Sequence, residues 1–545
     1  MWRRLVPVPL STRAAVPASV VAALAIVVAA ATGGVVLVER SPIAVATTSP
    51  AAPLIATAAS TPLPSPPATL TPAPTPGPPM VPLVPIVNYW SVQRTISLTQ
   101  LASLVGSTIP GPSLNPVAVA VSATDLDGLS AALRVTPRGA QAMSPAQVLA
   151  FVKATPNAIG IVRASDVTLG VRALSVNGVA LFGVDRTHDL AAWPLLAPEP
   201  GAMDSFSTAS TWTMAAGGDV MLDKAVYQYS ILDGYGVDYA WNGGTATIDR
   251  RYCCGWGGGL LAQGRKTGDA GAFGNLMRTA DLSLVNLESP EPHDFRYHAG
   301  GFTFTGDPEL LAGLQHAGID LVSMANNHLG DGGLYAVADE IGYLDQLGIA
   351  HAGAGANRSE ARKAAWLTAG GIRIAVLAYC WIAPMEYWAT ASSPGSSGYY
   401  INEVTTDIAD AKAAGADYVI VMPHWGPEYT DDVMPEQSTD AQRMIDAGAN
   451  LVLGSHSHWF GPMQRIGADS LVFYSLGDLV FDWTHDERTQ ESAVADLTFI
   501  GGRLVQVDLH PTIIIDGQPN LLDGTPDAAA ALNQIRATSG PLLGW

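Results

Sequence analysis

Cysteine is nearly absent: there are three among 545 residues and no Cys-x-x-Cys pair. That excludes a disulfide framework and a thiolate zinc knuckle. Cys253 and Cys254 are adjacent, where a bridge would be strained, and they read as reduced thiols. Charge is also scarce, at 14% of residues, where about a quarter is usual. A disordered acidic tail and a salt-bridged coil are therefore excluded. Positive charge is the scarcer sign, with 28 Lys and Arg against 48 Asp and Glu and a formal net charge of -20. Nucleic-acid binding needs a basic face to displace phosphate counterions, so no nucleic-acid partner is expected. The length exceeds what one core supports and suits two or three domains.

What is present begins with the leader. Arg3, Arg4 and Arg13 stand in residues 1–13, a short segment expected to stay in the cytoplasm. Residues 14–38 follow, an uncharged run of 25 rich in Ala, Val and Leu, longer than the ~20 needed to cross a bilayer as a helix. This reads as a retained single-pass anchor; a cleaved signal with Ala44-Val45-Ala46 at its end is the alternative. Either reading puts the main domains outside the cytoplasm. Residues 39–80 form a linker rich in Pro, Ala and Thr, with twelve prolines in the forty residues 41–80. Such a segment cannot bury a core and suits an extended polyproline stalk.

Two folded regions are expected beyond it. Residues 81–205 alternate short apolar runs (117–121, 159–162, 171–174) with helical patterns such as 144–153, which predicts a small α/β lobe. Its segments Arg94-Thr95-Ile96-Ser97-Leu98-Thr99-Gln100-Leu101, Asn157-Ala158-Ile159-Gly160-Ile161-Val162 and Trp193-Pro194-Leu195 resemble one lobe of a periplasmic phosphate-binding-type protein. A complete binding protein of that type is about twice as long, so the lobe reads as a spacer or docking unit.

Residues 206–545 carry the chemistry. Apolar strand-like runs repeatedly end in Asp, Asn, Glu and His: Gly218-Asp219-Val220-Met221, Asn286-Leu287-Glu288, Asn326-Asn327-His328 with Asp331, His424-Trp425-Gly426-Pro427-Glu428, and Gly454-Ser455-His456-Ser457-His458. Helical patterns lie between them, which predicts an α/β fold whose strand ends share one crevice. Oxygen and imidazole donors gathered in this way suit Mn, Fe, Zn or Mg, at one or two divalent ions per chain. A single such histidine would more often be a hydrogen-bonded core residue; four at strand ends point to a metal site.

Together with Tyr474-Ser475-Leu476-Gly477-Asp478, these motifs resemble the capsule-synthesis CapA family over about 300 residues, in the family's order and spacing. The resemblance implies a calcineurin-like metallophosphoesterase sandwich, two sheets flanked by helices, and a role in making or exporting poly-γ-glutamate. It also implies an acidic polymer or phosphoester substrate, capsule synthase or exporter partners, and a metal-dependent hydrolase. Carried over by position, Asp219 and His458 would bind a first metal, Glu288 would stand near the bridging place, and Asn327, His424 and His456 would bind a second. His328 would be the general acid or the charge stabiliser beside the leaving group, and Asp331 could orient it. Glu428 would orient His424 or touch substrate.

Two departures qualify the carry-over. Met221 stands where phosphoesterases usually have a histidine, as it does across the CapA family, and a thioether is a poor ligand for hard cations. Asp478 replaces a usual asparagine; it could hold a metal, repel an acidic substrate or simply end a strand. Residues 234–274 hold twelve glycines with Trp241, Tyr252 and Trp256, which suggests a flexible lid or an inert insertion. Arg250, Arg251, Arg265 and Lys266 in that segment are a local basic cluster suited to an anionic polymer. Three functions follow: a capsule-polymer enzyme, a non-catalytic polymer-binding or assembly factor, and an envelope phosphatase unrelated to capsule.

Overall fold

The computed structural model describes residues 80–106, 118–198, 205–255, 258–482 and 485–544. The expected anchor at 14–38 and nearly all of the linker lie outside these residues. Among the described residues no helix is long and apolar enough to cross a membrane.

The first sheet runs in the order Ala140–Met143, Val119–Ser122, Ile159–Arg163, Met80–Asn88, Val171–Ala173, with Leu196–Pro198 also paired to Met80–Asn88. The Pro145–Ala154 helix packs Val148 and Val152 onto it, in one core with Leu83, Ile86, Val121 and Ile161. Ser144 and Gln147 start that helix with a reciprocal capping box, which satisfies two amides left without intrahelical partners.

The remaining chain builds two larger sheets that face each other. In the ten-stranded sheet, Thr211–Val220 lies parallel to Leu282–Leu287, which is followed by Leu321–Ser323 and Ala350–Ala352. On its other side Glu491–Ile500 runs antiparallel. The six-stranded sheet centres on the parallel strands Ile372–Cys380, Tyr418–His424 and Leu451–Leu453. Side chains alternate across each strand. Trp212, Met214 and Ala216 therefore point inward and meet Ile374, Val376, Ile420 and Met422 of the other sheet. Ala215, Val285 and Val322 point outward under the helices Ala272–Thr279, Leu311–His316 and Ala336–Leu347. On the far side Leu377, Val419 and Val421 lie under Ile401–Ala413 and Pro435–Ala447. The result is two sheets flanked by helices. Each fully buried aliphatic side chain contributes about 1.5–3 kcal/mol, and Trp212 adds a ring stacked on Phe499 at 3.9 Å.

Residues 234–274 differ from the lid reading. Thr245–Cys253 and Leu260–Gly268 form a hairpin that extends the ten-stranded sheet past Gln518–Leu521. Trp241 is buried against Phe273 instead of lying over a cleft. The glycines serve close approach: a Cβ on Gly243 would sit 1.7 Å from the Pro519 carbonyl oxygen, and one on Gly244 would sit 2.1 Å from that of Gly268. Arg251 and Arg265 are taken up in ion pairs with Glu487, Glu491 and Asp249. The Cys253 and Cys254 sulfurs, expected as separate thiols, are in bonding contact.

A partly buried charge cluster joins the small lobe to the large one. Arg172 contacts both carboxylate oxygens of Asp508 at 3.1 Å, and Arg94 pairs with Asp508 and Asp523. Behind them, His510 Nδ1 donates to Asp523 at 2.6 Å. Burial and Arg94 push the His510 imidazole down, but Asp523 and Asp496 outweigh them and hold its pKa at about 9. A histidine raised on folding contributes stability that is fully present below its ordinary 6.5 and is lost as pH climbs through about 9. Chemical unfolding across that range is expected to show a loss on the order of 2 kcal/mol, flattened in His510→Gln. Identical pH profiles for the two proteins would contradict the assignment.

Candidate metal centre

Parallel strands deliver their carboxyl ends to the same side, and here both sheets do so over one crevice. Asp219 lies near the end of Thr211–Val220, and Glu288 follows Leu282–Leu287. Asn327 and His328 follow Leu321–Ser323. His424 ends Tyr418–His424, and His456 and His458 follow Leu451–Leu453. Gly218 lets the strands close, since a Cβ there would sit 1.8 Å from the Gly477 carbonyl oxygen. Asp219 and Asp478 are consequently register partners, and the Asp219 amide donates to Gly477 at 2.9 Å. His456 and His458 both adopt positive φ, 94° and 60°, a conformation unusual for a side chain with a Cβ and typical of constrained functional sites.

The ligand-type atoms fall into two groups that share a member. Glu288, His424 and His456 form one and Asp219, Glu288 and His458 the other, with the ligand atoms of each group within 4.8 Å of one another. Asn327 joins the first group, its Oδ1 lying 2.7 Å from His424 Nε2. His424 Nε2 is also 3.1 Å from His456 Nδ1 and 3.4 Å from a Glu288 oxygen. Asn286 bridges the groups by donating to Asp219 at 2.8 Å while lying 3.4 Å from His424 Nδ1. Of the expected ligands, Asp219, Glu288, Asn327, His424, His456 and His458 are thus brought together.

Charge tests whether this set fits a cation. Asp219, Glu288 and Asp478 are all buried at 1% exposure or less, and the ion pairs made by Glu288 and Asp478 are with histidines. Among the described residues neither Glu288 oxygen has a hydrogen-bond partner. Burial, then the neighbouring Asp219, holds the Glu288 carboxyl well above the usual carboxylate range. Burial and their imidazole neighbours push His424 and His456 well below the usual range, which leaves them neutral, the form that ligates metals. Burial opposes a proton on His458, but Asp478, Glu288 and Asp219 outweigh it and hold the imidazole cationic; a metal ion at Nε2 would displace that second proton. Buried carboxylates without Lys or Arg, beside neutral imidazoles, are the donor set of a divalent cation.

Hydrogen bonds behind the donors aim them. His458 Nδ1 donates to Asp478 at 2.8 Å, leaving Nε2 for a ligand bond. Asp478 therefore orients a donor, a role the motif alone left among several. His424 Nδ1 is held by Ser455 Oγ at 2.8 Å; orientation of His424 belongs to Ser455 and not to Glu428, which is solvent-exposed. Ser455 and Asn286 received no role from the sequence, although both stand inside the quoted motifs. Outside the cluster, His328 Nδ1 lies 2.9 Å from Asp331, and its Nε2 lies 3.0 Å from Asn327 Nδ2.

A cleft of about 230 Å³ opens above, lined by Phe302, Phe304, His328, Tyr429, His458 and Phe481 among others, with Glu428 on its rim. Met221 is buried with Phe304 and Phe481. It supports the cleft wall through packing and supplies no hard ligand.

Residues 213–483 match the family described as bacterial capsule synthesis protein PGA_cap. The chain is 25% identical over 332 residues to the capsule biosynthesis protein CapA of Bacillus anthracis, covering 59% of this chain and 72% of that protein. It is 30% identical over 224 residues to the PGA biosynthesis protein CapA of Bacillus subtilis, covering 40% and 58% respectively. A solved NAD nucleotidase of Haemophilus influenzae aligns with a TM-score of 0.33 at 11% identity, over 60% of this chain and 62% of that one.

A buried carboxylate without donors destabilises a cation-free protein and stabilises a loaded one. In chelator, Glu288→Gln is expected to raise unfolding stability by about 1–3 kcal/mol. With excess Mn²⁺ the order should invert, as read by thermal melts. A Glu288→Gln protein less stable than the parent in chelator, or an unchanged order with metal, would contradict the reading.

Proposed function

Residues 213–483 belong to the bacterial capsule synthesis family, and from that premise we propose a capsule-polymer protein with a metal-dependent, phosphoesterase-type site. In this reading it is anchored in the cell membrane by residues 14–38, with its folded regions extracytoplasmic. It serves synthesis or export of poly-γ-glutamate or a related acidic polymer, beside synthase or exporter proteins. The observation that carries the site is Glu288, shared between two buried donor groups.

Asp219, Glu288 and His458 would hold one divalent ion, and Glu288, Asn327, His424 and His456 a second. Ions bound there would supply Lewis acidity toward a phosphoryl or carbonyl oxygen. His458 and His424 are kept in register by Asp478 and Ser455. His328 lines the cleft with Nδ1 tied to Asp331 and Nε2 accepting from Asn327 Nδ2, so it would serve a leaving group as acid or charge stabiliser once Nε2 is protonated and released from that amide. Asn327 links the two functions, with Oδ1 toward His424 and Nδ2 toward His328. The walls of Phe304 and Phe481 limit water beside the reacting bond.

The competing reading is a non-catalytic polymer-binding factor, favoured by Met221, whose buried thioether stands where phosphoesterases usually carry a histidine ligand. His328→Ala separates the two. The enzyme reading expects turnover of a chromogenic phosphodiester or of γ-linked glutamate polymer to fall about 10²–10⁴-fold. Metal content by mass spectrometry should be unchanged. Full turnover and full polymer output from the variant would leave only the binding role.

A further inference from the structure

We propose that Tyr387 is a positioning residue for His328, holding its imidazole at the cleft through Asp331. What His328 does there rests on the reading above; the contacts that hold it do not. Asp331 is the acceptor on which three groups converge. His328 Nδ1 and the Phe304 amide reach the same Asp331 oxygen, each at 2.9 Å. The Tyr387 hydroxyl hydrogen-bonds that carboxylate as well. Burial, then Asp331, pushes the Tyr387 hydroxyl up from its ordinary range, so it keeps its proton and is the donor.

Tyr387 reaches Asp331 from the opposite sheet. It ends the short helical turn Met385–Tyr387 on the connection leaving Ile372–Cys380, whereas His328 and Asp331 follow Leu321–Ser323. Its ring packs against Gly330, where a Cβ would sit 2.3–2.6 Å from three of the ring carbons. Gly330 does not adopt positive φ, so glycine stands there for close approach and not for backbone freedom. The Tyr387 backbone is fixed in turn. Its amide donates to the Pro384 carbonyl at 3.1 Å, and a Cβ on Gly395 would sit 2.3 Å from its own carbonyl oxygen. Gly395–Ser396 pairs antiparallel with Ala354–Gly355. Phe304 completes the hold by meeting His328 edge-on at 4.7 Å, with Lys224 Nζ 3.4 Å over its ring.

His328 stands on a loop beyond a strand end, where an imidazole has several staggered rotamers open to it. Tying its carboxylate partner to the second sheet removes that freedom. The orientation of His328 is therefore set across the crevice, by a tyrosine 59 positions later in the chain. Misplacement of a reacting group by about 1 Å can cost on the order of 10²-fold in rate.

The test uses the full-length chain with Tyr387→Phe, which removes the hydroxyl, and Gly330→Ala, which displaces the ring. A readout independent of turnover is the far-downfield proton of His328 Nδ1–H. It is recorded by NMR on the histidine-labelled chain in chelator and assigned by its loss in His328→Ala. The proton is expected in the parent and in the control Tyr335→Phe, whose hydroxyl serves Asp294. Both test variants should lose it to exchange. If the parent turns over a chromogenic phosphodiester with Mn²⁺, kcat should fall about 10–100-fold in Tyr387→Phe. KM and metal content should be unchanged, with no further fall when His328→Ala is already present. A parent without turnover sinks the catalytic reading and leaves the proton to decide this proposal. A proton absent from the parent or retained in Tyr387→Phe, an unchanged kcat in an active parent, or an equal fall in the His328→Ala background would each overturn it.

Discussion

Two faced sheets converge on a carboxylate that the protein itself does not satisfy. Glu288 is fully buried and, among the described residues, has no hydrogen-bond donor on either oxygen, yet it is a member of both donor groups. A charge in that position is costly unless a cation joins it. The architecture around it serves to hold that position. Gly218 allows the close strand approach at Gly477, Asp219 and Asp478 lie side by side, and two histidines accept positive φ. Stability given up locally is offset by the continuous core between the sheets, from Trp212 to Met422.

The donors were legible in the sequence because strand ends leave local marks. An apolar run followed by Asn-Leu-Glu or Ser-His-Ser-His places its polar residues at a sheet edge whatever the distant neighbours are. The α/β character was legible for a similar reason, since apolar runs alternated with helical periodicity, whereas the two-sheet sandwich came from the resemblance to the CapA family. The small lobe's α/β character came from the same signal.

What escaped the sequence depends on pairs far apart in the chain. Nothing near Arg172 announces that Asp508 will meet it 336 residues later. Ser455 and Asp478 look like ordinary motif positions until His424 and His458 are placed against them. The glycine-rich segment suggested a lid because composition reports freedom, whereas here the glycines relieve close backbone contacts in a sheet edge. Glu428, four residues after His424, was open to either an orienting or a substrate role. The turn through Gly426, with φ of 88°, leads it to the exposed rim.

The central claim, that Glu288 is shared by two cations, is tested most directly by anomalous diffraction from crystals grown with Mn²⁺. The account predicts two anomalous peaks about 3.5–4 Å apart, one on either side of the Glu288 carboxylate. A single peak away from Glu288, or no peak at saturating metal in an ordered site, would contradict it.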